Sequence, residues 1–263
     1  MESGLRAPDW RLPWFAPWRE AGEPVAAGLA AGLPLHEALN AAPAAPVRFV
    51  PQEQLPAGRP YERYIFESGL CPARAGWHDF FNGICWRGMP RSKRQLNRLQ
   101  ATEIEANGVG AVRGAVRDAI TVFDENGALL QAPAPIWDAL LAREWRRVFV
   151  DLRPRWREAR LLVFGHALLE KLLSPRKDLT AHVWRADAAI ESVATCDAWL
   201  AAQLTPGALA GKPFTPLPVL GIPGWWAANE NFSFYDDSLV FRARRPHLPR
   251  GEANFPSSEK SNP

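Results

Sequence analysis

Cysteine is scarce in this chain of 263 residues: there are three, Cys71, Cys85 and Cys196, with no C-x-x-C spacing. That argues against a disulfide framework and against a cysteine-built structural zinc site, and it points to a reducing compartment. Lysine is scarce too. Of the 31 basic residues five are lysine and 26 arginine, which, beside 41 alanines, suggests a GC-rich bacterial genome and makes the arginine excess mostly codon bias. Neither sign of charge dominates, and a net charge of +3 is too little for a strong footprint on nucleic acid or a membrane surface. Long apolar runs are missing. The longest uncharged stretch, 213–229, is broken by Pro213, Pro216, Pro218 and Pro223, whereas a spanning helix needs about 20 apolar residues. The N-terminus carries Glu2 and no basic region before an apolar stretch, so no signal peptide is expected. The expectation is a cytoplasmic protein without a membrane partner. Walker A, G-x-G-x-x-G, G-x-S-x-G and H-E-x-x-H motifs are all absent.

Tryptophan (12) and proline (25) are abundant, while the apolar share of 47% and the charged share of 22% are ordinary for a globular chain. Residues 1–60 read as a Trp/Pro-rich arm (Trp10, Trp14, Phe15, Trp18), extended and packed on the body, then a helical stretch over 24–40 and an Ala/Pro-rich linker over 41–60. Residues 61–245 form the main domain, and the polar stretch 246–263 reads as a disordered tail. In the main domain Tyr61 to Phe66 reads as a strand and Trp77 to Trp86 as a helix. A second helix opens at Pro90 and closes at Gly108. Ala119 to Phe123 and Ala128 to Gln131 read as a hairpin about the turn Asp124-Glu125-Asn126-Gly127. A helix follows over Ile136 to Arg147. Leu161 to Leu173 is one buried helix or a strand feeding a helix. Thr180 to Trp184 is strand-like, and Asp187 caps a helix to about Leu204. The fold class is therefore α+β: a mostly helical single domain with a small β-hairpin or sheet.

The helix from Arg91 separates its polar residues by face. Arg91, Arg94 and Arg98 share one side, whereas Lys93, Asn97 and Gln100 fall among Leu96, Leu99 and Ile104 on the inward side. Inward polar groups need partners, because an unpaired one costs about 1–3 kcal/mol. They either line a ligand cleft or bond neighbouring backbone. His78 and Asn82 are four apart at the flank of the aromatic face of Trp77, Phe80, Phe81 and Ile84, where His78 serves as a base, a ligand or a structural group. Asp79 points elsewhere. His166 and Glu170 are also four apart, a spacing that suits a metal or a carboxylate-held histidine; no metal ligand is assigned. Thr180 and His182 share a strand face, with Lys177 just before them. Arg117 adjoins the first arm of the expected hairpin, and Asp124 reads as a turn residue.

The strings Pro60-Tyr61-Glu62, His78-Asp79-Phe80-Phe81-Asn82, Lys93 with Leu96-Asn97 and Gln100, Phe123-Asp124-Glu125-Asn126-Gly127, and Phe164-Gly165-His166 with Leu169-Glu170-Lys171 resemble a bacterial family of unknown function, numbered 3025. The resemblance covers about residues 60–245. Met89-Pro90 stands where the family pattern has Phe-Pro, an apolar exchange. The resemblance implies a cytoplasmic bacterial protein and brings no established activity.

The leading expectation is a hydrolase or transferase. His78, His166 and Glu170 would supply acid–base chemistry, and Asn82, Lys93, Asn97, Gln100, Arg117, Lys177 and His182 would bind an anionic, phosphorylated or nucleotide-like small substrate. No cofactor is named by these residues. Two other readings stand beside it. One is a nucleic-acid-binding module using Arg91, Arg94 and Arg98, with Trp225 and Trp226 as a stacking platform. The other is a partner-binding scaffold using the Trp-rich arm. Separation of His78, Lys93 and His166 by more than about 15 Å would rule out a shared reacting centre.

Overall fold

A computed structural model describes residues 7–41, 45–108 and 114–244; the expected disordered tail lies outside them. Helices come first: α1 (Arg19–Ala30) and α2 (Leu35–Asn40), parted at Pro34 as the sequence implied. The stretch expected as a linker contains a strand, β1 (Arg48–Pro51). It runs parallel to β2 (Leu70–Ala73), reached through α3 (Tyr61–Ser68). Residues 61–66 are thus helical, not a strand. Pro60 precedes the first turn, and Gly69 ends the helix in the left-handed conformation (φ 68°). The aromatic helix α4 (Trp77–Gly88) and the helix α5 (Pro90–Asn107, closed by Gly108) form as expected. Helix α5 has no cap of its own. Asp197, a hundred residues on, accepts the Arg91 and Ser92 amides at 3.0 and 2.7 Å and takes that place.

The expected hairpin does not form. Residues 119–126 belong to helix α6 (Ala115–Asn126), which passes straight into β3 (Gly127–Gln131). Val116, Ala119, Ile120 and Phe123 recur at helical spacing, and that stripe outweighs the β-like look of five residues. Next come α7 (Ala134–Ala142), a π-helical turn at Arg147–Asp151, β4 (Arg160–Val163) and α8 (His166–Lys171), so Leu161 to Leu173 is a strand feeding a helix. Strand β5 (Thr180–Arg185) follows, then α9 (Val193–Gln203), α10 (Pro206–Ala210) and β6 (Phe214–Pro218). Ser192, not Asp187, caps α9; Asp187 instead accepts the Trp199 indole N–H at 2.7 Å.

The main sheet is ordered β4-β3-β5-β6, with β3–β4 and β5–β6 antiparallel and β3–β5 parallel. The prolines of β6 sit at an edge, where a missing N–H costs no ladder bond. The architecture is α+β and mostly helical. The N-terminal arm is not an extended strip on the surface. Trp14, Phe15 and Trp18 are buried in the same core as the sheet, Phe15 stacks on Phe81, and the Trp18 indole donates to the Val163 carbonyl at 2.8 Å. Among the described residues no helix is long and apolar enough to cross a membrane.

Candidate functional site

Five helices deliver the site. Its centre forms where α6 meets β3 and β4 meets α8. The Phe164 and Gly165 amides both donate to the Gly127 carbonyl, at 2.9 and 2.8 Å, which pins the start of α8 beside the end of α6. Gly165 is required there: a Cβ would lie 2.5 Å from the Asn126 nitrogen and the Glu125 carbonyl oxygen. The first residue of α8, His166, therefore faces the last turn of α6, with Asp124 Oδ2 3.7 Å from its Nδ1 and Glu125 Oε1 3.7 Å from its Nε2. The first turn of α4 adds His78. Its Nε2 is 3.2 Å from Nε2 of His166, and its Nδ1 is 3.0 Å from Glu170 Oε2. Helix α5 adds Lys93, whose ammonium donates to Asp124 Oδ1 at 2.6 Å and lies 5.5 Å from the Trp86 ring centre. Helix α3 adds Tyr61 and Glu62, held by Asn82 and Asn97 respectively.

Burial sets the electrostatics. It would depress the Lys93 ammonium, but Asp124 overrides it and holds Lys93 above its ordinary range. Burial would likewise raise Asp124; Lys93 and His166 bring it below the usual carboxylate range. Burial pushes the Glu62 carboxyl up, Asp124 adding to the effect, and also raises Glu125. It lowers His166 to about 4, so this imidazole is neutral at pH 7.

A cavity of about 330 Å³ opens onto His78, Asn82, Glu125 and His166. A second, of about 320 Å³, shares Tyr61, Glu62, Asp124 and Glu125 as walls and extends to Lys93, Asn97, Gln100 and Arg117. Four buried side-chain atoms on these walls have no hydrogen-bond partner among the described residues: Asn82 Oδ1, Gln100 Oε1, Arg117 Nε and His166 Nδ1. Unsatisfied buried groups are rare in folded proteins, and these four make the two cavities the candidate ligand site.

Of the residues expected from sequence, His78, Asn82, Lys93, Asn97, Gln100, Arg117, His166 and Glu170 converge on this region, and His78 and His166 are in contact. Glu170 serves His78 across the helices rather than its own neighbour His166. Lys177 and His182 stand apart. Lys177 pairs with Asp237 at 3.1 Å and lies over Phe234, and His182 sits on β5 between β3 and β6. Asp124, Glu125 and Glu62 were missed as site residues. Asp124 was hidden by the hairpin reading; the helical stripe of α6, extended one turn, would have placed Asp124 and Glu125 at its end. Trp225 is no open stacking platform, since it is half-buried against Trp14.

The model of a family described as a protein of unknown function (DUF3025) matches residues 47–245. No curated protein and no solved structure matches the chain.

Proposed function

Since the chain belongs to the DUF3025 family, which hands down no activity, we propose from its site alone that it is an acid–base hydrolase of a small anionic substrate, or a transferase where an acceptor hydroxyl replaces water. One observation carries this reading: two histidines from different helices meet at 3.2 Å, each backed by a carboxylate, on the wall of an open cavity. Glu170 orients His78 through Nδ1, and the facing Nε2 atoms of His78 and His166 together take a proton from water or hydroxyl and return it to the leaving group. Arg117 receives the substrate's anionic group. It is 6% exposed, lines the adjoining cavity, and has no carboxylate partner among the described residues. Lys93 does not serve that purpose, because Asp124 already neutralises it. The cytoplasm suits such an enzyme, and three buried, unpaired cysteines fit a reducing compartment.

A panel of p-nitrophenyl phosphate, bis-p-nitrophenyl phosphate, p-nitrophenyl acetate and nucleoside phosphates tests the reading. His78→Gln is expected to lower kcat by about 10²–10⁴-fold. Arg117→Gln is expected to raise KM with little change in kcat, as loss of ground-state binding does. Equal rates in wild type and His78→Gln, or no turnover of any panel member, would defeat the reading.

The exposed stripe of Arg91, Arg94 and Arg98 supports a second reading, a nucleic-acid module: the three point outward, and no carboxylate among the described residues neutralises them. Filter binding decides it. Absence of retention at about 50 mM salt, where phosphate contacts are strongest, removes it.

A further inference from the structure

This inference rests on the reacting centre proposed above and specifies what that centre holds. We propose that His78, Glu125 and His166 bind a divalent transition-metal ion through the two Nε2 atoms and one Glu125 carboxylate oxygen, with Glu170 and Asp124 orienting the two imidazoles from behind.

Two facing nitrogens lead to the ion. His78 turns Nδ1 to the Glu170 carboxylate at 3.0 Å and Nε2 to Nε2 of His166 at 3.2 Å. Two ring nitrogens that face each other beside the Glu125 carboxylate, 3.7 Å from His166 Nε2, need a cation between them, a shared proton or a metal ion. The donor distances, the open position and the local charge favour the metal. With the ion at the point shared by the Nε2 atoms, a carboxylate stands behind each imidazole, Glu170 at 3.0 Å from His78 Nδ1 and Asp124 Oδ2 at 3.7 Å from His166 Nδ1, much as ligating histidines are ordinarily held.

The distances suit such an ion. Bonds of about 2.0–2.1 Å in a tetrahedral site place donor atoms about 3.3 Å apart. The two nitrogens are at 3.2 Å, Glu125 Oε1 is 3.7 Å from His166 Nε2, and the donors of all three residues lie within 4.8 Å of one another. Three protein ligands leave a position open, and the cavity of about 330 Å³ meets it. Charge agrees as well. Lys93 is already taken by Asp124, so Glu125 and Glu170 leave the pair of imidazoles with negative charge that a divalent cation would answer. Two imidazoles and a carboxylate suit zinc, and the same donors suit iron(II); magnesium prefers oxygen alone. With the ion in place His78 becomes a ligand, and the attacking hydroxide comes from metal-bound water.

The experiment uses the full chain, stripped by chelator and dialysed against zinc, anaerobic iron(II) or magnesium, with bound metal counted by mass spectrometry. The expected result is about one equivalent of zinc or iron per chain and no retained magnesium. Retention should be lost in His78→Ala and Glu125→Ala, and weakened about 10–100-fold in Glu170→Gln, the orienting residue. Cobalt(II) substitution should give a visible absorption band that Glu125→Ala abolishes, a signature a structural defect elsewhere would leave in place. Circular dichroism spectra of the variants matching wild type show that they fold. No stoichiometric retention, or equal retention in the folded variants, overturns the site. Turnover of the ester panel by metal-free protein, indifferent to added metal, overturns the metal and keeps the acid–base reading. Stoichiometric metal without turnover keeps the metal and overturns the hydrolase.

Discussion

Lys93 is 4% exposed, and its ammonium meets Asp124 at 2.6 Å. Removing one partner of a buried pair leaves the other charged and unanswered, which costs about 3–5 kcal/mol, whereas removing both is far cheaper. Urea unfolding should therefore show Lys93→Met losing about that much, and Lys93→Met/Asp124→Asn recovering a large part of it. A double variant no more stable than the single would deny that the pair is the cause. The cysteines make a second residue-scale case. All three are buried; burial pushes the Cys71 thiol up to about 12 and raises Cys85 and Cys196. Thiolate is the reactive form. A colorimetric thiol reagent at pH 8 should label none of them in the native protein and all of them in denaturant.

At the scale of elements, the site depends on two junctions that lack loops. Helix α6 runs directly into β3, and β4 runs into α8 across Phe164-Gly165. Gly165→Ala would press a methyl group against backbone of residues 125 and 126, which cannot rotate away as a side chain can. Overpacking of this kind costs about 1–3 kcal/mol. The expected outcome is that loss in denaturant unfolding, together with reduced turnover, because His166 would be displaced from Asp124 and Glu125. Full activity with unchanged stability would refute the close approach. The same junction explains why the end of α6 resembles a hairpin turn in sequence. Asp-Glu-Asn-Gly is ordinarily a turn, but here it is a last helical turn followed by a glycine whose Cβ would lie 2.3 Å from the Phe123 carbonyl.

At the scale of the molecule, the Trp-rich segment and the sheet share one core. Trp18 is fully buried, and its indole N–H holds the Val163 carbonyl beside the Phe164-Gly165 junction. Trp18→Ala should cost about 3–5 kcal/mol, and removal of residues 1–20 should abolish cooperative unfolding monitored by near-ultraviolet circular dichroism. Unaltered stability on truncation would restore the view of the segment as a dispensable docking arm.

Helical periodicity and proline or glycine stops are local properties, so the mostly helical α+β class, the limits of α5 and the inward placement of Lys93 and Asn97 are legible along the chain. So are His78, His166 and Glu170, since spacing of four shows which polar residues share a face. Which of them meet is set by packing. Glu170 answers His78 across helices 92 residues apart, and Asp124 faces both Lys93 and His166. Lys177 finds Asp237 instead. Those pairings depend on how α4, α5, α6 and α8 pack, and packing is set by buried area and backbone approach among distant residues, which no local pattern records.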